Sequence, residues 1–330
     1  MGLLIEGVWH DRWYDTKKHG GRFVRQESAF RNWISPDGST GFKPEPGRYH
    51  LYISYACPWA HRTLIVRKLK GLEDVVSVDP VHWLMGENGW QFSDDHPDRV
   101  NATAYLREVY VKADSDYTGR VTVPALWDKR TGTIVNNESA ELIRMFNSEF
   151  NDIAKNPELD LYPPELREEI DAVNARVYDT VNNGVYKSGF ATRQEAYEEA
   201  VDALFDSLDW LEERLSRQRY LAGERLTEAD IRLFTTLLRF DPVYVGHFKC
   251  NKHRLVDYHN LWAFTREIYQ LPGVKETVRF DHIKNHYYQS HGSVNPTRIV
   301  PKGPIVDFEA AHDRDRFAGT AGVEAIRRRA

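Results

Sequence analysis

Cysteine is nearly absent from this chain: among its 330 residues only Cys57 and Cys250 carry thiols, and they lie far apart. Two such residues build no disulfide scaffold, and a reducing, cytoplasmic setting fits their scarcity. Long hydrophobic runs are missing too, so no segment approaches the length of a membrane-spanning helix. The first twenty residues hold Glu6, Asp11, Asp15 and the pair Lys17-Lys18, which suits neither a signal peptide nor a membrane anchor. An excess of positive charge is also lacking. The formal net charge is −5, which argues against nucleic acid or an anionic membrane surface as a partner. No internal repeat is visible. What remains is ordinary for a soluble globular chain, 28% charged and 41% hydrophobic, and long enough for two domains with separate cores. The surplus is in rings: 13 His, 9 Trp and 17 Tyr suggest an aromatic-lined pocket beside aromatic cores.

The stretch Tyr55-Ala56-Cys57-Pro58-Trp59-Ala60-His61-Arg62-Thr63 follows an apolar run, 49–53, and opens a helical one, 60–69. It reads as a strand, a turn with a cysteine at its tip, and a helix starting at a proline, whose missing N–H would have been unpaired at that position anyway. Cys57 then sits at the positive end of a helix, where free N–H groups and the macrodipole favour a thiolate, and His61 and Arg62 add to that field. Without this context Cys57 would read as an inert buried thiol.

Residues 1–47 are polar and show no sustained periodicity; they read as a partly irregular N-terminal extension. From residue 48 the pattern predicts a strand at 49–54, a helix at 59–70 and a strand around 75–81. A long polar segment, 82–119, follows, and a loop of that length in a compact domain is usually functional. Strands at 122–127 and 133–135 flank a turn at Gly132 and read as a hairpin, and the apolar spacing of Ala140, Leu142, Ile143 and Phe146 predicts a helix after it. Strand–helix–strand, insert, strand–strand–helix is the order of an α/β thioredoxin-like domain. There, a cis-Pro faces the reactive cysteine, and Pro124 stands where it belongs, although an ordinary trans-Pro could also start this strand. Residues 151–164 look like a linker. Amphipathic helices are expected at 165–182, 193–217, 227–240 and 258–270. The third is announced by a capping box, Thr227 with Asp230, and by a hydrophobic staple, Leu226 with Ile231. The second half is thus an all-α domain followed by a polar tail that ends in Arg327-Arg328-Arg329, a solvated end. The expected domains are an extension at 1–47, a thioredoxin-like thiol-binding domain at 48–155, and a helical substrate and dimerisation domain with its tail at 156–330.

Three residues beyond Cys57, where a dithiol oxidoreductase carries its resolving cysteine, stands Ala60. A mixed disulfide on Cys57 must therefore be resolved by a thiol from solution, such as glutathione. Glu138 and Ser139, at a predicted helix start, fit the other half of such a site. Helix N–H groups and the Ser139 hydroxyl would hold a carboxylate, and Glu138 an ammonium group. Taken alone, the same residues also fit a simple cap, with Asn137 closing the helix and Glu138 complementing its dipole. Metal chemistry has little to stand on. His282 and His286 are four apart, and Cys250 and His253 could supply two ligands, but no glutamate completes the metalloprotease pattern and no matching second pair is evident.

These features together resemble the glutathione transferase superfamily: the thioredoxin-like order, the Val123-Pro124 step, Glu138-Ser139, and an all-helical domain with the capping box Leu226-Thr227-Glu228-Ala229-Asp230-Ile231. Within it the chain is similar to the xi class, the glutathionyl-hydroquinone reductases, over nearly its whole length. Cys57-Pro58-Trp59-Ala60-His61-Arg62 matches that class's active-site motif, and His286-Tyr287-Tyr288-Gln289-Ser290-His291 resembles its C-terminal signature. The resemblance implies glutathione as co-substrate, no metal, and reduction of glutathionyl-hydroquinones to hydroquinone and glutathione disulfide through a Cys57 mixed disulfide. It also implies that Trp90, Arg120, Val121, Pro124, Glu138 and Ser139 bind the thiol. Tyr186 and Tyr288, with Tyr287 as the fallback, would donate beside the leaving ring, since a phenol with a pKa near ~10 stays protonated. A homodimer joined through the helical domain is a further implication. Two other readings use the same residues: a general thioltransferase or dehydroascorbate reductase, and a non-catalytic binding protein. Glu138 and Ser139 argue for an α-amino acid head group but do not fix the thiol, so mycothiol or another small thiol in place of glutathione stays an alternative, and the physiological quinone stays open.

Overall fold

The structure is a computed structural model and describes residues 2–319; the arginine run 327–329 lies outside the described residues. The chain opens with a short hairpin, β1 (Leu3–Ile5) and β2 (Val8–His10), turned by Glu6 and Gly7, both at positive φ. A two-residue turn of this hand matches the twist of its strands. The extension is thus more regular than its sequence suggests, because strands of three residues are too short to show alternation. Residues 28–34 run beside later strands of the same unit: Asn32 N–H donates to the Val135 carbonyl, and Asn137 N–H to that of Phe30.

All five residues of β3 (Tyr49–Ile53) are buried, and on this strand the first sheet is assembled. α1 (Pro58–Leu69) carries the chain over to β4 (Val76–Pro80), parallel to β3. The His50 Nε2 of β3 lies 3.2 Å from the buried Asp79 carboxylate of β4, which accepts the Arg99 backbone N–H at 2.8 Å. Burial alone would raise the Asp79 pKa, but the His50 and Arg99 donors outweigh it and hold it at about 2.

The segment 82–119 is not one loop. A turn closes on the buried carboxylate of Asp98, which accepts the Tyr52 hydroxyl at 2.8 Å and the backbone N–H groups of Val100, Asn101 and Thr103. It leads into α2 (Leu106–Ala113) and β5 (Gly119–Arg120), and β5 pairs with β1 to give a second sheet ordered β2-β1-β5. α2 buries only Leu106, Val109 and Tyr110 among charged neighbours, too short a stripe to stand out in sequence. β6 (Ala125–Asp128) and β7 (Thr133–Asn136) form the expected hairpin and complete the main sheet in the order β4-β3-β6-β7. α3 (Ser139–Ser148) packs against α1.

The helices of the second half begin with α4 (Arg167–Val177), which passes through a π-helical turn, 178–182, into α5 (Gly184–Gly189). α6 (Gln194–Leu215) buries Val201, Leu204, Phe205, Leu208, Leu211 and Leu215 along one stripe, the spacing that predicted it. α7 (Glu228–Arg239) is buried along its whole length, and its start is the predicted box: the Asp230 carboxylate accepts the Thr227 N–H at 2.7 Å and hydroxyl at 3.0 Å. A second π-helical turn, 240–244, extends it into α8 (Val245–His247), and α9 (His259–Tyr269) follows. The final helix, α10 (Phe280–Ser290), is hard to see in sequence because its buried face is His282, Ile283, His286 and Tyr287 rather than aliphatic.

By their contacts the residues divide into two units. Among the described residues, the first comprises 2–13, 25–157 and 277–290; the second comprises 14–24, 158–276 and 291–319. α10 therefore belongs with the sheets, although its sequence position lies beyond the other helices.

Candidate active site

Cys57 is the N-cap of α1, in extended conformation, with Pro58 at the first helical position as its sequence predicts. Its carbonyl accepts the His61 N–H at 3.0 Å, the first bond of the helix, and its own N–H donates to the Ser54 carbonyl at 3.1 Å. The thiol is half-buried and lies 3.6 Å from the Val123 carbonyl oxygen. The Val123–Pro124 bond is cis. Pairing of β6 with β3 starts at Ala125, so the backbone of Val121 and Val123 stands outside that ladder, with the Val123 carbonyl at the cysteine. Val123, whose carbonyl meets the thiol, lies two residues beyond Val121, and both side chains are buried.

Glu138 and Ser139 stand at the start of α3, and here the simple capping reading needs correcting. Glu138, not Asn137, is the N-cap. Its carboxylate accepts the Ala140 N–H at 3.1 Å and the Ser28 hydroxyl at 3.0 Å. Asn137 points instead into the fold, accepting from the Phe30 N–H and donating to the Tyr110 hydroxyl. Ser139 is buried, and its hydroxyl accepts from the Arg62 guanidinium at 3.3 Å. A carboxylate at Glu138 beside a guanidinium at Ser139 presents both signs of charge within adjacent residues, which suits a zwitterionic amino-acid head group. Arg62 and Arg25 both lie over the Trp59 ring, at 4.5 and 4.4 Å.

Sequence reasoning missed Tyr110. This fully buried phenol donates to the Thr122 carbonyl at 2.7 Å and receives the Asn137 side-chain amide at 3.1 Å. It thus joins the loop before Pro124 to the turn before Glu138. Burial raises its pKa, so it stays a neutral donor. Nothing in the sequence of α2 separates it from sixteen other tyrosines.

Trp90 is buried, with its ring stacked on that of His286 at 4.8 Å. Arg120 pairs through β5 with β1, and its guanidinium donates to the Arg12 carbonyl in the extension. On α10, Tyr287 is buried against His286, whereas Tyr288 is half-exposed. These residues all belong to the first unit.

Tyr186 belongs to the second unit, on α5, and lies in a cluster of rings with Phe190, Tyr244 and Phe248 at centroid distances of 5.6–6.1 Å. Gly189 makes that cluster possible, since a Cβ there would fall 2.1 Å from the Phe248 ring. Cys250 is fully buried in this unit, and burial pushes its thiol up to about 12. Among the described residues no group of three or more His, Cys, Asp or Glu is placed to hold a metal ion. His282 and His286 serve packing instead: His282 meets Tyr55 and His96 edge-on, and burial lowers its pKa to about 4. No helix among the described residues is long and apolar enough to cross a membrane.

Residues 56–149 match the family model of the glutathione S-transferase N-terminal domain, and residues 194–267 that of the C-terminal domain. The chain is 59% identical to the glutathionyl-hydroquinone reductase YqjG of Escherichia coli, over 96% of its own length and 99% of that protein's. Among solved structures it is similar to the xi-class transferase of Natrialba magadii, with a TM-score of 0.91 and 50% identity over 97% of this chain and 98% of that one. The glutathione-bound structure of YqjG matches with a TM-score of 0.88, 55% identity, and 96% and 100% coverage.

Proposed function

The chain belongs to the glutathione S-transferase family, in its xi class, and from that membership we propose that it is a glutathionyl-hydroquinone reductase working through Cys57. The observation that carries the proposal is a single thiol at a helix N-terminus, 3.6 Å from the Val123 carbonyl beside a cis-Pro, with Ala60 where a resolving cysteine would stand. Such a centre forms a mixed disulfide but does not resolve it internally.

The Cys57 thiolate attacks the sulfur of the conjugate. A sulfur–sulfur bond forms, the bond from sulfur to the ring carbon breaks, and its electron pair stays on that carbon, which takes up a proton to give the hydroquinone. A second glutathione, as thiolate, attacks the mixed disulfide; glutathione disulfide leaves and the Cys57 thiolate returns. Splitting one displacement into two lowers each barrier. The thioether sulfur of the conjugate and the sulfur of one glutathione end as glutathione disulfide, and the two electrons they give up reduce the ring carbon, so the electrons balance. Glu138 and Ser139 hold the head group of glutathione, the Val121–Pro124 backbone pairs with its peptide, Trp90 walls it, and Arg120 is a further residue of the thiol site. Tyr288, half-exposed on α10, and Tyr186, within a wall of rings on α5, serve as donors to the leaving ring. A homodimer joined through the helical unit and a cytoplasmic location complete the proposal.

Intact-mass analysis after incubation with a glutathionyl-hydroquinone tests it. One glutathione is expected on Cys57, removed by further glutathione. Release of hydroquinone with no adduct at any time, in a Cys57→Ser variant as in the native enzyme, would mean that the thiol is not the nucleophile.

A further inference from the structure

The thiol-site wall, Trp90, is held by a residue from the far end of the chain. α10 meets the segment 83–90 at three points. The His286 ring stacks on the Trp90 ring at 4.8 Å, with an interplanar angle of 24°. His286 Nδ1 lies 2.8 Å from the Trp83 carbonyl oxygen, which accepts only, so Nδ1 carries the proton. One turn on, the Ser290 hydroxyl accepts the Met85 N–H at 3.1 Å. His286 is buried, and three residues before the helix begins the His61 imidazole of α1 meets Thr277 at 2.7 Å. The rest of the segment is tied elsewhere in the same unit: the Leu106 N–H of α2 bonds the Trp90 carbonyl, and the Trp9 indole N–H bonds the Glu87 carbonyl. Backbone bonds therefore fix where Trp90 is, and the ring stacked on its indole is the His286 imidazole.

We propose that His286 is a positioning residue for thiol binding: it locks the Trp90 ring in the orientation that walls the glutathione site, so α10 sets affinity for the thiol without touching it. The inference rests on the reading of Trp90 as part of that site. An imidazole held by a carbonyl bond at one edge is a rigid platform, and offset stacking favours one ring orientation over the others that a tryptophan side chain can adopt.

Two variants separate the ring face from the hydrogen bond. His286→Asn keeps a donor toward the Trp83 carbonyl and removes the ring; His286→Phe keeps a ring and removes the donor. Glutathione binding is measured by calorimetry on the full-length enzyme, with kcat and KM for glutathione in parallel and thermal melts to confirm folding. His286→Asn is expected to weaken glutathione binding about three- to tenfold and to raise KM with little change in kcat, the scale of one aromatic pair. His286→Phe should recover most of that loss, and adding His286→Asn to Trp90→Ala should cost nothing beyond Trp90→Ala alone. Unchanged affinity in His286→Asn, an equal loss in His286→Phe, or full additivity with Trp90→Ala overturns the inference. If Trp90→Ala itself leaves glutathione affinity unchanged, the wall reading fails first and the role of His286 falls with it; that result is distinguishable because it requires no change at His286.

Discussion

Alkylation of the native enzyme should distinguish its two thiols by orders of magnitude. Iodoacetamide attacks thiolates, so its rate follows the thiolate fraction and access. Cys250 has neither: it is fully buried, and its thiol is pushed up to about 12. At pH 7 that leaves roughly one thiolate in a hundred thousand, against a few in a hundred for an ordinary free thiol with a pKa near ~8.5. Cys57 is half-buried at the N-terminus of a twelve-residue helix, where the dipole favours its anion. The expected result is one carbamidomethyl group on Cys57 with concurrent loss of activity. Cys250 should react at least about a thousandfold more slowly, becoming reactive only when the protein unfolds. Pre-incubation with glutathione disulfide should protect Cys57 alone. Two adducts appearing at comparable rates in folded protein, or full activity in protein labelled only at Cys57, would refute the reasoning.

Replacing Tyr288 by Phe should slow reduction of a glutathionyl-hydroquinone on the order of a hundredfold while largely sparing a small mixed disulfide, since only the first reaction needs a proton at ring carbon; equal losses on both would favour a general thioltransferase. Asp79 makes stability fall in acid. Its folded pKa of about 2 lies below the unfolded value near ~3.9, so its contribution of ~2 kcal/mol is present above that value and is lost as the pH falls through about 2. Asp79→Asn should flatten that limb of a urea-midpoint profile; an unchanged profile would remove His50 and Arg99 as the cause. Arg314, fully buried, donates to the carbonyls of Leu215, the last residue of α6, and of Gln218 and Arg219 beyond it, at 2.6–2.7 Å. Arg314→Ala leaves those carbonyls buried without a donor and should cost about 3–5 kcal/mol in urea unfolding; a loss below ~1 kcal/mol would mean that solvent replaces the guanidinium.

The sequence by itself determined whatever depends on neighbours along the chain. Pro58 after Cys57 makes the cysteine a helix cap, Ala60 makes it a monothiol, and Thr227 with Asp230 starts α7, because each of these is a relation within one turn of backbone. The long stripe of α6 was legible for the same reason. Short elements were not: β1, β2 and α2 bury too few residues for a period to show, and α10 buries histidine and tyrosine where a hydrophobic pattern looks for leucine. The tertiary structure decided what depends on distance. It brought the Cys57 thiol to the carbonyl of Val123 across 66 residues of sequence, gave the cap of α3 to Glu138 and turned Asn137 toward Tyr110, and laid His286 on Trp90. Such partners are chosen by the packing of the whole unit, which sets which ring or carbonyl a side chain meets, and no spacing along the chain carries that information.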